Sequence, residues 1–279
     1  MKARPLSFSP SDRVLVIAPH PDDETLGAGG VILSSREARA SVKVLCLTYG
    51  DHNKMASLFY RRRLLLSRSD CMAMGRIRRQ EALRAASYLG LSEEDLIFLG
   101  YPDFGMLKIW RGHWGPAKPF RRALGGMDSV PYEDGFSFGN DFKGDNIVHD
   151  IEKVLLMFRP TVIFVSAPFD VHPDHQAAYL YLEAAAGCLL DSASSPRIYL
   201  YLIHGGQWPS PRGYLPERFL KPPADDMAGK DPLWVSYPLH SNQVRLKGQA
   251  LSCYRSQLSY NREFLLSFVR SNELFLSVF

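Results

Sequence analysis

Short runs of apolar residues, many of them β-branched, recur at 14–18, 42–48, 96–99, 161–166 and 198–203, with a weaker run at 234–237. Runs of four to eight such residues between polar or turn-forming segments predict buried strands. Between them, apolar positions recurring on one helical face predict helices over 25–37, 76–89, 146–158, 175–190 and 244–257. Strands alternating with helices, and strands apolar almost throughout, predict an α/β fold: a Rossmann-like, mostly parallel sheet with helices on both faces. Right-handed crossovers then bring the carboxyl ends of the parallel strands to one edge, where open sheets of this kind bind ligands. Residues 264–279 are apolar but interrupted by Arg270, Asn272 and Glu273, which suits a last packed helix and strand. No repeat or low-complexity tract divides the chain, and residues 1–279 read as a single domain. Two stretches lack periodicity: 101–144, rich in glycine, proline and aromatics, and 205–232, which contains Pro209, Pro211, Pro216, Pro222 and Pro223. Stretches this long shape a site more often than they merely connect, and both are expected to wall a substrate cleft.

Composition narrows the function classes. In 279 residues, 46% hydrophobic content fills a large core, and 33 basic against 29 acidic residues leave only +4, no field for nucleic acid. Charge is uneven locally: residues 61–79 are strongly basic, and leucines and methionines between the arginines make a helix with a charged solvent face the expectation. Cys46, Cys71, Cys188 and Cys253 form no CxxC pair and read as reduced core residues of a cytoplasmic protein. Residues 1–13 lack the apolar segment of a signal peptide, and no apolar run approaches the ~18 residues of a transmembrane helix. Gly27, Gly29 and Gly30 do not make a dinucleotide motif, because they fall inside the first helix rather than in the turn before it; close helix packing explains them.

The candidate chemistry sits at two strand ends. After the first strand come His20, Pro21, Asp22, Asp23 and Glu24; after the fourth come Asp170, His172, Pro173, Asp174 and His175. So many titratable groups where strands end are costly to pack unless something binds them, and imidazole with carboxylate is the donor set of zinc and its neighbours. A helix cap accounts for either cluster alone, but not for both on neighbouring strands. Three protein ligands and one water describe a catalytic zinc site. His52, His113, His149, His204 and His240 receive no metal role; His204, at the same edge, is the nearest outsider.

His20-Pro-Asp-Asp-Glu24 followed by His172-Pro-Asp-His175 resembles the paired signatures of the zinc-dependent LmbE-like / PIG-L de-N-acetylases, which remove acetyl groups from N-acetylglucosamine-type sugars. Smaller matches are Thr48 to Asp51, Arg78 to Glu81, Leu99 to Asp103 and Tyr254 to Gln257. The resemblance implies His20, Asp23 and His175 as metal ligands, for Zn2+ or another divalent ion such as Fe2+, and Asp22 as the general base. His172, off the metal, would be available as a cation, to stabilise the oxyanion or help protonate the leaving amine. Asp174 would orient one of the histidines, and Glu24 would bond the backbone or neighbouring side chains. Arg78, or its neighbour Arg79, and Asp103 would contact sugar hydroxyls. Asp170 departs from relatives that carry a tyrosine there, which leaves more of the oxyanion to His172. Trp110, Trp114, Phe120, Tyr132, Phe136 and Phe138 are candidates to stack on sugar rings. The expected partner is a small molecule or glycoconjugate bearing an N-acetylated sugar. Two rivals stand beside this reading: a magnesium phosphoesterase, against which the two histidines of the second cluster argue, and a catalytically silent carbohydrate-binding protein, for which Asp22 and His172 would be superfluous.

Overall fold

A computed structural model describes residues 6–62, 67–123, 125–189, 195–223 and 234–278. Residues 63–66 of the basic stretch, residue 190 of an expected helix, residues 224–232 of the second long stretch, residue 279 and the side chain of Cys188 lie outside them. The order is β1 (Arg13–Ala18), α1 (Asp23–Glu37), β2 (Ser41–Thr48), α2 (Lys54–Arg61), α3 (Arg68–Tyr88), β3 (Leu96–Tyr101), α4 (Met106–Gly112), α5 (Gly144–Phe158), β4 (Val162–Ser166), α6 (Pro173–Ala185), β5 (Arg197–Tyr201), β6 (Trp234–Pro238), α7 (Ser241–Leu251), α8 (Arg255–Leu266) and β7 (Asn272–Val278).

One sheet runs β3-β2-β1-β4-β5-β7-β6. β1 to β5 are mutually parallel, whereas β7 is antiparallel to both β5 and β6. The fold is therefore the expected mostly parallel α/β sheet, with an antiparallel strand near its far edge. Strand order reverses between β1 and β4, so the crevice of such a sheet lies where these two strands end. Val14 to Ala18 and Val162 to Val165 are all fully buried, as covering of both faces requires.

α1 packs unusually closely on its neighbours. A Cβ at Gly27 would lie 2.5 Å from the Tyr201 ring of β5, and one at Gly30 2.4 Å from Leu239. Lys247 of α7 donates to the Leu26 carbonyl and to Glu273 of β7, which accepts the Gly30 and Val31 N–H groups at 2.7 and 2.9 Å. A buried ion pair thus ties α1 to the sheet end carrying β7.

Two differences from the sequence expectation concern helices. Residues 244–257 form two helices instead of one, because α7 ends at Leu251 and the chain turns Tyr254 inward to bond Glu24 and Thr25 before α8 begins. α2 and α4, each a turn or two long, have too few residues to show a period. Cys46 and Cys71 are buried free thiols, and Cys253 is half-buried. Among the described residues no helix is long and apolar enough to cross a membrane.

Candidate metal and catalytic site at the carboxyl edge

β1 delivers His20 into a tight turn. Asp22 takes φ 127° and ψ −28°, a conformation rarely adopted by residues with a Cβ. Arg78 of α3 holds it there: Nη2 donates to the Pro21 carbonyl at 2.7 Å and to Asp22 Oδ1 at 3.1 Å, and Nη1 to the Gly50 carbonyl at 3.0 Å. Gly50 has φ +59°, and a Cβ there would collide with the guanidinium, so only glycine lets the arginine in. Arg78 is 3% exposed. The side chain is no solvent-facing charge: it lines the cavity, with Nη1 and Nη2 bonded to Asp22 and two carbonyls and Nε buried without a partner. Arg79 pairs with Glu93 and Asp134 and does not line the cavity.

The two strand ends meet. Asp23 Oδ2 lies 3.1 Å from His20 Nδ1 and 3.1 Å from His175 Nε2. Each histidine's other nitrogen faces carboxylates: His20 Nε2 is 3.2 Å from Asp103 Oδ1 and 3.3 Å from Asp174 Oδ2, and His175 Nδ1 is 3.1 Å from Asp170 Oδ2. Those carboxylates are themselves fixed. Asp174 accepts the Phe104 and Met106 N–H groups, and Asp170 accepts those of His172, Ile203 and His204. A histidine with one nitrogen held by a carboxylate and the other facing a shared point has the arrangement of a metal ligand.

The donor set fits a divalent cation on a second ground. Both ring nitrogens of His175 and Oδ1 of Asp103 are buried without a well-directed hydrogen bond. Asp22, Asp23, Glu24, Asp103, Asp170 and Asp174 are all buried here, with Arg78 as the buried guanidinium among them. Such a concentration of buried carboxyls calls for positive charge, which the facing carboxylates draw onto His20 and His175 against their burial and which a bound cation would supply instead. Among the described residues, candidate ligand atoms fall within 4.8 Å of one another in three groups: His20, His172 and His175; Asp23, His175 and His204; and His20, Asp103 and Asp174.

Electrostatics separates the carboxyls. Burial pushes Asp22 up to about 8, with Arg78 pulling against it and Asp23 and Glu24 adding to it. Burial works the same way on Asp23 and Asp170, but is outweighed by the facing histidines, which hold Asp23 well below the usual carboxylate range and Asp170 at about 2. Glu24 accepts from the Asp22 N–H at 3.0 Å, from Thr25 Oγ1 at 2.7 Å and from the Tyr254 hydroxyl, and so braces the turn from behind.

His172 is not the cation expected from the sequence. Its Nδ1 accepts the Asp174 N–H at 3.2 Å, and burial together with the nearby His20 and His175 pushes its pKa down to about 2. The ring is neutral, with its proton on Nε2. Asp103, the predicted sugar contact, is buried but lines the cavity, with one oxygen toward His20 and the other accepting the His52 N–H at 2.9 Å, so it also braces two histidines. His204 stacks on Phe264 and lies beside His175, with ring centroids 5.6 and 4.8 Å apart.

A cavity of about 570 Å³ opens over this cluster. Its walls are not those expected. The stretch 101–144 contributes only Asp103 and Phe104; residues 205–232 contribute none among those described. The walls come from residues 52–55 at the start of α2 and from Gln257, Tyr260, Asn261, Phe264 and Leu265 of α8. The aromatics of the long stretch pack elsewhere: Trp110 and Trp114 against Tyr181, Tyr132 flat on Tyr49 at 3.8 Å, and Phe120 beside His113. Phe136 and Phe138 are exposed away from the cavity. Sequence reasoning missed Asp170 as the partner of His175, although its position two residues before His172 was a usable signal. Nothing local marked Tyr254 or the α8 wall.

A parallel sheet with carboxylate-braced histidines and an aspartate at its switch point defines an α/β protein with a candidate site for a divalent metal. A family model described as PIG-L, GlcNAc-PI de-N-acetylase, matches residues 15–186, and the chain belongs to that family. It is 27% identical over 169 residues to a probable N-acetyl-alpha-D-glucosaminyl L-malate deacetylase 2 of Bacillus subtilis, covering 60% of this chain and 57% of that protein. Over 261 residues it is 26% identical to a 1D-myo-inositol 2-acetamido-2-deoxy-alpha-D-glucopyranoside deacetylase 2 of Saccharopolyspora erythraea, covering 88% and 83% of the two chains. Among solved structures, the zinc-inhibited form of teicoplanin deacetylase Orf2 superposes with a TM-score of 0.61 at 17% identity, over 95% of this chain and 97% of that one, a likeness of fold.

Proposed function

We propose that the chain is a metal-dependent amide hydrolase that removes an N-acetyl group from an N-acetylglucosamine-type sugar or glycoconjugate. One observation carries the reading: Asp23 Oδ2 stands 3.1 Å from both His20 Nδ1 and His175 Nε2, while the adjacent Asp22 is held away from that point by Arg78. Family membership, and deacetylase relatives that act on acetylated glucosamine conjugates, support it. His20, Asp23 and His175 would hold the ion, and a mixed nitrogen and oxygen set favours zinc over magnesium. When bound, the ion supplies Lewis acidity toward water and toward the amide carbonyl.

The chain's own residues divide the remaining work. Arg78 occupies Asp22 Oδ1, which leaves Oδ2 to take a proton from the attacking water. His172 presents Nε2–H as a donor to the carbonyl oxygen as it gains charge. Asp22 then returns its proton to the departing nitrogen, the carbon–nitrogen bond breaks, and acetate and a free amine result. Asp170, Asp174 and Asp103 keep the histidine rings in the tautomers these tasks need. The free thiols Cys46 and Cys71 suit a reducing cytoplasm.

The test is a release assay with the metal-loaded protein over N-acetylglucosamine, its phosphorylated and nucleotide forms, glycolipids and oligosaccharides, measuring amine and acetate in parallel. Equal amounts of both are expected from at least one substrate class. Phosphate release with magnesium and no amine would replace the reading with a phosphoesterase.

A further inference from the structure

We propose that His52, locked by Arg122 with its proton on Nε2, is a substrate-positioning donor for an oxygen atom of the sugar in the cavity. The residue follows β2 at the carboxyl edge of the sheet and lines the cavity with His20, Asp22 and Asp103. Arg122 Nη2 lies 2.8 Å from His52 Nδ1. A guanidinium only donates, so Nδ1 is the acceptor and the single ring proton sits on Nε2. Among the described residues nothing accepts that proton.

The lock is itself built. Arg122 Nη1 pairs with Asp51 Oδ2 at 2.8 Å, with side chains 3% and 2% exposed, and the Tyr132 hydroxyl donates to the same oxygen at 2.7 Å. A buried ion pair is costly to assemble, and this one holds a histidine tautomer at the edge of a cavity. Arg122 and Tyr132 both come from the long stretch 101–144, which thus serves the site mainly from behind, with only Asp103 and Phe104 in the cavity wall. The His52 backbone N–H bonds Asp103 Oδ2 at 2.9 Å, and Asp103 Oδ1 faces His20 at 3.2 Å. The ring is therefore placed rigidly relative to the metal-binding cluster. A neutral N–H donor beside the Phe104 ring, with centroids 6.3 Å apart, suits a sugar, which offers oxygen acceptors and an apolar C–H face.

The ligand part of this inference rests on the amino-sugar reading; the tautomer does not, and two experiments on the metal-loaded full chain separate them. In the first, nitrogen NMR of labelled histidine should show His52 protonated at Nε2 alone, with Arg122→Met releasing the lock and added N-acetylglucosamine shifting the Nε2 signal. A proton on Nδ1, or no shift at saturating sugar, overturns the proposal. In the second, amine release from N-acetylglucosamine should show KM raised about tenfold in His52→Phe with kcat within about threefold, the loss of one hydrogen bond. His52→Gln, whose amide nitrogen stands near the place of Nε2, should recover most of the affinity. Equal KM in the wild type and the Phe variant, or equal impairment in the Phe and Gln variants, overturns it. A wild type that binds the sugar but releases amine neither from it nor from any other substrate class of the release assay would end the deacetylase reading and leave the NMR result to decide His52.

Discussion

The two strand ends share a grammar of proline, histidine and aspartate, yet the structure treats them differently. At the end of β1 the turn is strained, with Asp22 at φ 127°, and is restrained by charge: one buried guanidinium grips a carboxylate and two carbonyls. At the end of β4 the loop relaxes into α6, and its groups are fixed by neutral backbone donors, three on Asp170 and two on Asp174. On the proposed function, the difference is one of task. The β4 loop needs histidines whose orientation and tautomer never vary, which directional hydrogen bonds provide. The β1 turn needs a carboxyl poised between two protonation states, which requires opposed terms: burial raising the pKa and Arg78 lowering it.

Substitutions should separate the two ends. The largest effect belongs to Asp22→Asn, which should lower kcat by at least about 10²-fold while the bound metal, measured by elemental analysis, is unchanged. Near-normal turnover in that variant would remove Asp22 as the base. Asp170→Asn should act on the metal instead, weakening its binding by roughly 10- to 100-fold and recovering turnover at high metal concentration. Arg78→Met should reveal the opposed terms at the β1 turn. With the cation gone, the Asp22 carboxyl rises further; since the base works ionised, the acidic limb of kcat/KM moves to higher pH and activity at pH 7 falls. A change confined to KM would instead support the sugar-contact reading of Arg78. The smallest contrast tests the cavity walls: Phe264→Ala in α8 should raise KM several-fold, whereas Phe138→Ala in the long stretch should leave it within about twofold.

What could be read from the sequence was local. Five parallel strands, the switch-point edge and both histidine clusters follow from apolar runs and from motifs a few residues long. The partnership of Arg122 with His52 spans 70 residues and leaves no local trace. Arg78 looked like one more charge in a basic helix because its burial depends on Gly50, 28 residues away. Tyr254 interrupted an expected helix because a bond to Glu24, 230 residues distant, outweighs local helical preference. The cavity walls were misassigned for a related reason: length and aromatic content suggested exposed loops, but the aromatics of 101–144 mostly pack inward, Tyr132 on Tyr49 and Trp114 against Tyr181.

The central claim, that one divalent ion held by His20, Asp23 and His175 serves an amide hydrolase whose proton acceptor is Asp22, is tested most directly by titration. Chelated protein is reloaded with zinc while amine and acetate release from an N-acetylated amino sugar is followed, in the wild type and in Asp22→Asn. The account predicts no turnover without metal, a plateau at about one ion per chain in the wild type, and the same binding stoichiometry with turnover abolished in the variant. Full activity in the chelated protein, or an Asp22→Asn variant that hydrolyses as the wild type does, would contradict it.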